Sequence, residues 1–344
     1  MVTTVPFCLV GLGNIGRNLL NILVHRHAAI VRDYEVDLRL VGAADSRGAA
    51  MSPEGLDAIE IVALKSAGRT IADYPSYGQP GLSAQKMVEG IDSVMLVEAS
   101  PTNLTDGEPG MGCILAALER GQHIVTANKG PLVLAFGRLT DRAREVGVAL
   151  AYSGTVAGGL PTVNIGVRDL AGSAVQRVEG IFNGTTNYVL TRMEREGIDY
   201  ELALEGAQAA GIAEADPTLD VDGWDAANKL VIIANSVLRR PTTLADLDVE
   251  GIRGVSLDDL RRARSSDRVI KLLAVAERTG DDYALSVRPT LLASDHPLAR
   301  TGLWDMGVVY HTDYMGVITA IIEEKGPVPT SAAVLRDMIN VMAG

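Results

Sequence analysis

The densest set of reactive side chains lies between Glu214 and Lys229, where five carboxylates precede a single lysine. The carboxylates belong to Glu214, Asp216, Asp220, Asp222 and Asp225. Asp222 is a residue type that favours the N-cap, which predicts a helix over residues 223–238. Asp225 and Lys229 are then four positions apart on one face of its first turns. Because the rest of this helix is apolar on nearly every side, we expect it to be buried, and a buried lysine is rarely unpaired.

A buried ammonium of this kind can stabilise negative charge on a substrate oxygen or exchange a proton with it. The alternative is an ordinary surface ion pair, which contributes only roughly 0.2–0.5 kcal/mol. The spacing of Asp225 and Lys229 by itself supports the two interpretations equally.

Two further polar segments follow apolar runs. Residues 183–188 (Asn-Gly-Thr-Thr-Asn-Tyr) place five hydrogen-bonding side chains around one glycine. A substrate-binding loop and a cap-rich helix start are both consistent with this composition. Lys129, in the sequence Ala-Asn-Lys-Gly, comes directly after a buried apolar run. Ligands of open parallel sheets bind beyond the carboxyl ends of the strands, so Lys129 is a second candidate for the site.

A glycine-rich motif near the N-terminus predicts a dinucleotide site. Gly11, Gly13 and Gly16, together with Asn14 and Ile15, lie between an apolar run and a helical pattern. The first glycine permits a tight turn, the second lets the backbone approach a pyrophosphate, and the third lets the helix pack closely on the strand. The amide groups at the helix N-terminus would bind the anion. A glycine-rich turn without a ligand is the alternative.

The second predicted strand ends at Asp45, which is followed by Ser46 and Arg47. Asp45 in this position can accept hydrogen bonds from the adenosine ribose and thereby favours NAD. Ser46 and Arg47 can instead bind a 2′-phosphate, which favours NADP. Arg47 as a solvated loop residue is a third interpretation, and the sequence leaves all three open.

Two kinds of scaffold are needed to position these side chains. The first part of the chain alternates between predicted strands (5–10, 38–44, 93–98, 123–126, 148–152) and predicted helices (14–32, 111–120, 131–146). This indicates an α/β fold with a doubly wound, Rossmann-type parallel sheet. After Tyr152 the pattern is α+β on a mostly antiparallel sheet, with strands within 175–182, 283–291 and 306–322 and helices at 190–196, 200–210, 223–238, 257–264 and 267–278. We therefore predict two domains with a boundary near Tyr152.

The composition limits the possible partners. The 344 residues include 31 basic and 43 acidic side chains, so the formal net charge is −12. An acidic surface repels nucleic acids and anionic membranes. No apolar stretch approaches the roughly 18 residues needed to span a bilayer, and no signal peptide is recognisable. Cys8 and Cys113 form no paired motif, which favours a reducing compartment. We expect a cytoplasmic protein that acts on a small molecule and binds neither nucleic acid nor a membrane.

Six segments together resemble homoserine dehydrogenase. They are GLGNIG (11–16), SPTNLTDGEP (100–109), HIVTANKGP (123–131), YSGTVAGGLP (152–161), GIFNGTTNYVLT (180–191) and EADPTLDVDGWDAANK (214–229). The resemblance covers essentially residues 5–340. It implies the reversible, NAD- or NADP-dependent interconversion of L-homoserine and L-aspartate 4-semialdehyde, in the pathway to threonine, methionine and isoleucine. It also implies the short, monofunctional form, for which no regulatory domain is expected.

The resemblance implies roles for individual residues. The catalytic residues would be Lys229, Lys129 and Asp225. Substrate would be bound by Glu214, Asp220, Asn183, Gly184, Thr185 and Thr186. The cofactor would contact Gly11, Gly13, Asn14, Ile15, Gly16, Asp45, Ser46, Arg47, Ser100, Pro101 and Lys129. A monovalent cation, Na⁺ or K⁺, would bind the backbone carbonyls of Ser153, Val156, Gly158 and Leu160.

The resemblance also implies a homodimer and a domain arrangement. Residues 1–152 would bind the dinucleotide, with 326–344 returning to them, and residues 153–325 would form the substrate-binding, catalytic and dimerisation domain. We expect Lys129 and Lys229 to meet the bound dinucleotide in one acid-lined cleft. Two other functions stay open: a dehydrogenase of the same type for another small amino-acid aldehyde or alcohol, and a silent nucleotide-binding sensor. The two lysines and the acidic cluster argue against the sensor.

Overall fold

The computed structural model describes residues 1–343 of the chain. The Cα packing divides the chain into two compact units. The first contains Met1–Gly158 together with the C-terminal segment that begins at Pro327, and the second is Gly159–Gly326. The division along the chain falls a few residues after Tyr152.

A seven-stranded, mostly parallel sheet forms the centre of the first unit. Its strands are β1 (Thr3–Val10), β2 (Val36–Asp45), β3 (Gly48–Met51), β4 (Gly78–Pro80), β5 (Met95–Glu98), β6 (His123–Thr126) and β7 (Leu150–Ala151). They are arranged in the order β4-β3-β2-β1-β5-β6-β7. Strands β2, β1, β5, β6 and β7 run parallel, and β3 and β4 extend one edge antiparallel. This confirms the predicted Rossmann-type sheet.

Within residues 1–343, six α-helices belong to the first unit. They are α1 (Asn14–Tyr34), α2 (Ala58–Ser66), α3 (Ala84–Gly90), α4 (Gly110–Glu119), α5 (Lys129–Val146) and, from the C-terminus, α12 (Val328–Ala343). The apolar run of β1 is continuous because both faces of the sheet are covered, so that Phe7, Cys8 and Leu9 are fully buried. Leu19 of α1 and Met338 of α12 lie in the same core.

Every predicted strand and helix of the first unit is present, but five further elements were not predicted. One is α12, because residues 326–344 were expected only to return to this unit and not to form a helix. The other four are short. Strands β3 and β4 have four and three residues, and helices α2 and α3 have nine and seven. Elements this short contain too few residues to show a clear hydrophobic period.

A six-stranded sheet forms the centre of the second unit, in the order β13-β12-β8-β10-β11-β9. Its strands are β8 (Val175–Ile181), β9 (Asp248–Val249), β10 (Arg268–Thr279), β11 (Asp282–Ala293), β12 (Asp305–Thr312) and β13 (Val317–Glu323). All pairs are antiparallel except β11 with β9. The predicted mostly antiparallel sheet is therefore confirmed.

The helices of the second unit are α6 (Thr162–Asn164), α7 (Gly184–Glu196), α8 (Tyr200–Ala209), α9 (Thr218–Val221), α10 (Trp224–Ser236) and α11 (Leu257–Ser265). Within residues 1–343, no helix combines the length and apolar character that a membrane span requires.

The predicted helix at residues 267–278 is wrong, because this segment is strand β10. The strand pairs with β8 on one side and β11 on the other. Its middle residues, Leu272, Leu273, Ala274, Val275 and Ala276, are all buried. A continuous apolar run of this length is typical of a central strand and of a buried helix alike, so periodicity could not separate the two.

Candidate functional site

The glycine turn after β1 has the geometry that its motif requires. Gly11 has a φ of +96°, and a Cβ added there would lie 2.3 Å from the carbonyl oxygen of Ala99. A Cβ on Gly16 would lie 2.1 Å from the carbonyl oxygen of Gly11. Gly13, the N-cap of α1, makes no side-chain cap bond and has no atom within 4 Å of an added Cβ. The uncapped start of α1 thus leaves room for an anion at its amide groups.

The carboxylate of Asp45, at the end of β2, is held by four donors of its own unit. The Lys65 ammonium is 2.6 Å from Oδ2, and the Thr70 hydroxyl is 2.9 Å from Oδ1. The backbone amides of Ile71 and Arg47 each donate at 2.9 Å. Burial alone would raise the pKa of Asp45, but these donors lower it to about 2. A carboxylate has about four acceptor positions, so Asp45 retains little capacity for a ribose hydroxyl.

The neighbouring candidate cofactor residues are more accessible. Ser46, Arg47 and Pro101 are exposed, as is Asn14. The Arg47 guanidinium donates to the carbonyl of Gly68 at 3.4 Å. Such a long contact is weak, and an anion would be a stronger acceptor for the same guanidinium.

A buried carboxylate that the sequence did not single out lies at the end of β5. Glu98 is fully buried and accepts hydrogen bonds from the Ser100 amide at 2.8 Å and the Thr126 hydroxyl at 3.2 Å. Burial raises the pKa of Glu98, and the donors only partly offset this. Asn128 donates to the Ser100 hydroxyl at 3.2 Å and caps α5, in which the half-buried Lys129 is the first residue. This network fixes the backbone that carries Lys129.

Lys229 and Asp225 lie in the first turns of α10 and form a partly buried ion pair. The Lys229 Nζ atom is 2.6 Å from Asp225 Oδ2 and 2.5 Å from the carbonyl oxygen of Phe182. The two side chains are 11% and 14% exposed. The predicted i, i+4 arrangement is confirmed, and the pair is not the solvated surface pair that was the alternative.

Asn183 connects this pair to a second carboxylate. Its side-chain amide donates to Asp220 Oδ1 at 2.7 Å and to Asp225 Oδ2 at 2.8 Å. Its Oδ1 atom accepts the backbone amide of Thr186 at 2.8 Å, which is the N-cap bond of α7. The Thr185 hydroxyl donates to Asp220 Oδ2 at 2.7 Å. Residues 183–188 therefore form the start of a helix and also contribute hydrogen bonds to Asp220 and Asp225. Helix α7 begins at Gly184 rather than at residue 190.

One feature of the acidic segment differs from the prediction. Asp222 does not cap α10, because Gly223, with a φ of +86°, occupies the N-cap and Asp222 pairs with Arg253 instead. Glu214 is exposed, and no residue in the described part of the chain donates a hydrogen bond to its carboxylate.

Comparison with known proteins decides the family. A model of homoserine dehydrogenase matches residues 161–339. A homoserine dehydrogenase of Methanocaldococcus jannaschii is 36% identical over 333 residues, which are 97% of this chain and 97% of that protein. The chain belongs to the homoserine dehydrogenase family.

Other members agree with this assignment. A relative from Pseudomonas canavaninivorans, named NAD(+)-dependent homoserine dehydrogenase, is 36% identical over 342 residues, 99% of this chain and 97% of its own length. A solved structure from Archaeoglobus fulgidus, assigned as a homoserine dehydrogenase, has a TM-score of 0.89 at 34% identity and covers 99% of this chain and 100% of that one. A hyperthermophilic archaeal homoserine dehydrogenase mutant in complex with NADPH has a TM-score of 0.85 at 27% identity, with 99% and 98% covered.

Ser153, which the family resemblance implies as a cation ligand, is hydrogen-bonded to two residues of α12. Its amide and hydroxyl donate to Asp337 of α12 at 2.8 and 2.7 Å, and Arg336 donates to its Oγ atom at 2.9 Å. Because Asp337 is 184 residues away along the chain, no local sequence signal could have indicated this contact.

The carbonyl groups proposed for the cation are partly engaged. The Ser153 carbonyl accepts the Val156 amide at 3.4 Å, and the Leu160 carbonyl accepts the Thr162 amide at 2.8 Å. Each carbonyl oxygen has a second lone pair that a cation could use. Among residues 1–343, no cluster of His, Cys, Asp and Glu side chains is suited to a metal ion.

Proposed function

We propose that this family member interconverts L-homoserine and L-aspartate 4-semialdehyde with NAD or NADP, in the cytoplasm, on the route to threonine, methionine and isoleucine. The observation that carries the proposal is the partly buried Lys229 ammonium, which is held by Asp225 and the Phe182 carbonyl. An ammonium has three N–H groups, so these two acceptors leave one for a substrate oxygen.

Lys229 is the proposed proton-transfer group. During reduction of the aldehyde it would donate a proton to the developing alkoxide, and during oxidation it would accept one from the hydroxyl group, directly or through a water molecule. Its positive charge in a water-poor site also stabilises negative charge on that oxygen. Asp225 orients Lys229, and Lys129 is proposed as a second ammonium at the reacting carbon.

The acidic cluster is the proposed binding site for the substrate's α-ammonium group. Asp220 has a fixed carboxylate, held by Asn183 and Thr185, and Glu214 has an exposed one. Two carboxylates are suited to a cationic amino group. Gly184 and Thr186 complete the proposed substrate side at the start of α7.

The first unit is the proposed cofactor-binding domain. The turn from Gly11 to Gly16 supplies the space and the helix amides that a pyrophosphate requires. When bound, NAD or NADP supplies or accepts the hydride. Ser46 and Arg47 are exposed where the adenosine ribose would lie, whereas Asp45 is engaged by its own unit. One relative is named for NAD⁺ and one solved neighbour contains NADPH.

A monovalent cation and a homodimer belong to the same proposal. Na⁺ or K⁺ would bind carbonyl oxygens of Ser153, Val156, Gly158 and Leu160. The second unit is the proposed dimerisation domain, since its edge strand β13 exposes Val317 and Ile321 at 59% and 45%. Exposed apolar residues on an edge strand are a liability that pairing with a second copy removes.

The test is steady-state oxidation of L-homoserine by the purified protein with NAD⁺ and with NADP⁺, each with and without Na⁺ or K⁺. Turnover of homoserine above other amino alcohols supports the proposal. Preference for another amino alcohol would identify a related dehydrogenase, and nucleotide binding without turnover would identify a silent sensor. Light scattering at several protein concentrations measures the oligomeric state separately.

A further inference from the structure

A buried lysine that no step above uses lies in the core of the second unit. Lys271, in β10, is 2% exposed. Its ammonium donates to Asn187 Oδ1 at 2.8 Å, to Thr191 Oγ1 at 2.8 Å and to the carbonyl of Thr301 at 3.2 Å. These contacts use all three of its N–H groups, and all three acceptors are neutral.

A buried ammonium without a bonded carboxylate is costly to stability. Burial lowers the pKa of Lys271 to about 8, which reflects this cost. An apolar side chain of similar length would avoid it. The ammonium instead makes directional contacts. Apolar contacts allow two secondary-structure elements to slide past each other, whereas three hydrogen bonds fix one relative position of the elements.

The element fixed by Lys271 is α7. Asn183, Asn187 and Thr191 follow one another at intervals of four residues and so form a polar stripe along one face of this helix. Asn187 also donates its side-chain amide to the carbonyls of Gly302 at 2.7 Å and Asp305 at 3.0 Å. The middle of the stripe is thereby tied to its surroundings by directional bonds.

The end of the same stripe lies in the proposed site. Asn183 caps α7 and donates to both Asp220 and Asp225. A displacement of α7 along or about its axis would carry the Asn183 amide away from Asp225 Oδ2, the atom that also accepts the Lys229 ammonium.

We infer that Lys271 is a positioning residue for the reaction: it fixes α7 against β10 so that Asn183 holds Asp225, and with it Lys229, in place. Lys271 itself touches neither the proposed substrate residues nor the cofactor motif. The inference rests on the role proposed above for Lys229.

The test is Lys271→Met, which keeps the length of the side chain and removes the ammonium. We expect kcat for homoserine oxidation to fall by about 10- to 100-fold, because a misplacement of about 1 Å can cost about 100-fold in rate. The KM for NAD(P) should not change. Tyr283→Phe is the matched control, since it removes a hydroxyl that donates to the Val175 carbonyl at 2.7 Å in the same sheet. It should lower the unfolding temperature (Tm) and leave kcat unchanged.

A lowered Tm with wild-type kcat in Lys271→Met would show a purely structural role and overturn the inference. If that variant does not fold, Thr191→Val decides, because it keeps the ammonium and removes one acceptor. A fall in kcat at constant KM for NAD(P) in Thr191→Val supports positioning, and an unchanged kcat rejects it. Lys229→Met is measured alongside: if it retains full kcat, the proposed role of Lys229 has failed, and the inference fails with it for that reason.

Discussion

The side-chain amide of Asn183 donates a hydrogen bond of 2.8 Å to Oδ2 of Asp225, which lies 42 residues away in the chain. The same oxygen accepts the Lys229 ammonium at 2.6 Å. One oxygen atom is therefore shared between an amide from α7 and an ammonium from α10. Charge-assisted bonds of this length are strong and directional. They determine where the Lys229 ammonium points, and the reaction proposed here depends on that direction.

Replacing Lys229 by methionine removes the ammonium and keeps most of the side-chain volume. We expect kcat for homoserine oxidation to fall by about 100- to 10,000-fold, the usual contribution of a positioned acid or base. The affinity for NAD(P), measured by fluorescence titration, should be unaffected. A kcat equal to that of the wild type would refute the assignment of Lys229.

Asn183→Ala removes the amide that joins Asp220 to Asp225 and also the N-cap of α7. The lost cap should cost about 1 kcal/mol of unfolding free energy, and the two carboxylates lose charge-assisted bonds of about 1.5–3 kcal/mol. We expect a lower kcat as well, because Asp225 no longer holds Lys229 in one direction. Chemical denaturation and steady-state kinetics measure the two effects.

The control for this variant is Ser83→Ala. Ser83 caps α3 in the first unit by accepting the Lys86 amide at 3.3 Å. Its loss should lower stability through the missing cap and leave kcat unchanged. Equal kcat losses in the two variants would mean that reduced stability, and not the position of Asp225, explains the effect of Asn183→Ala.

The sequence allowed correct prediction of features whose cause is local. The i, i+4 spacing placed Asp225 and Lys229 on one face of a buried helix, and the glycine pattern identified the turn between β1 and α1. Both depend on residues that are neighbours in the chain. The apolar runs gave the Rossmann-type sheet for the same reason, because crossover helices bury both faces of each strand.

The features that could not be predicted depend on contacts between residues that are far apart in the chain. The Asn183 amide donates hydrogen bonds to Asp220 and Asp225, which are 37 and 42 positions away in the chain. No residue near Asn183 in the sequence indicates that these two carboxylates are its partners. Residues 267–278 contain a buried apolar run that a helix and a central strand share, so the pairing with β8 and β11 decided the outcome. Asp222 has the chemistry of an N-cap, but Gly223 took that position and Asp222 pairs with Arg253.

Asp45→Asn tests whether this residue supports the fold. Its pKa of about 2 lies below the usual value of 3.8, so the ionised form stabilises the folded protein. That stabilisation is fully present above about pH 4 and is lost as the pH falls toward 2. At pH 7 we expect the variant to lose about 2–3 kcal/mol of unfolding free energy, since its bond to the Lys65 ammonium is charge-assisted.

The difference between wild type and Asp45→Asn should therefore shrink as the pH is lowered from 4 to 2, which urea denaturation at several pH values measures. Asp33→Asn is the control, because Asp33 pairs with Arg32 on the surface and should change stability little. A stability difference at Asp45 that does not depend on pH would show that its charge does not stabilise the fold.

Substitutions at Gly13 and Gly16, which lie in the same turn, should affect cofactor binding and stability separately. A Cβ on Gly13 would meet no atom within 4 Å, so Gly13→Ala should fold normally. The same methyl group would occupy the space that the pyrophosphate needs, and we expect the KM for NAD(P) to rise by about tenfold or more. In Gly16→Ala the Cβ would lie 2.1 Å from the carbonyl oxygen of Gly11, so α1 must move away from β1 and the unfolding temperature should fall. Thermal unfolding and cofactor titration of both variants check this, and an unchanged KM for NAD(P) in Gly13→Ala would place the pyrophosphate elsewhere.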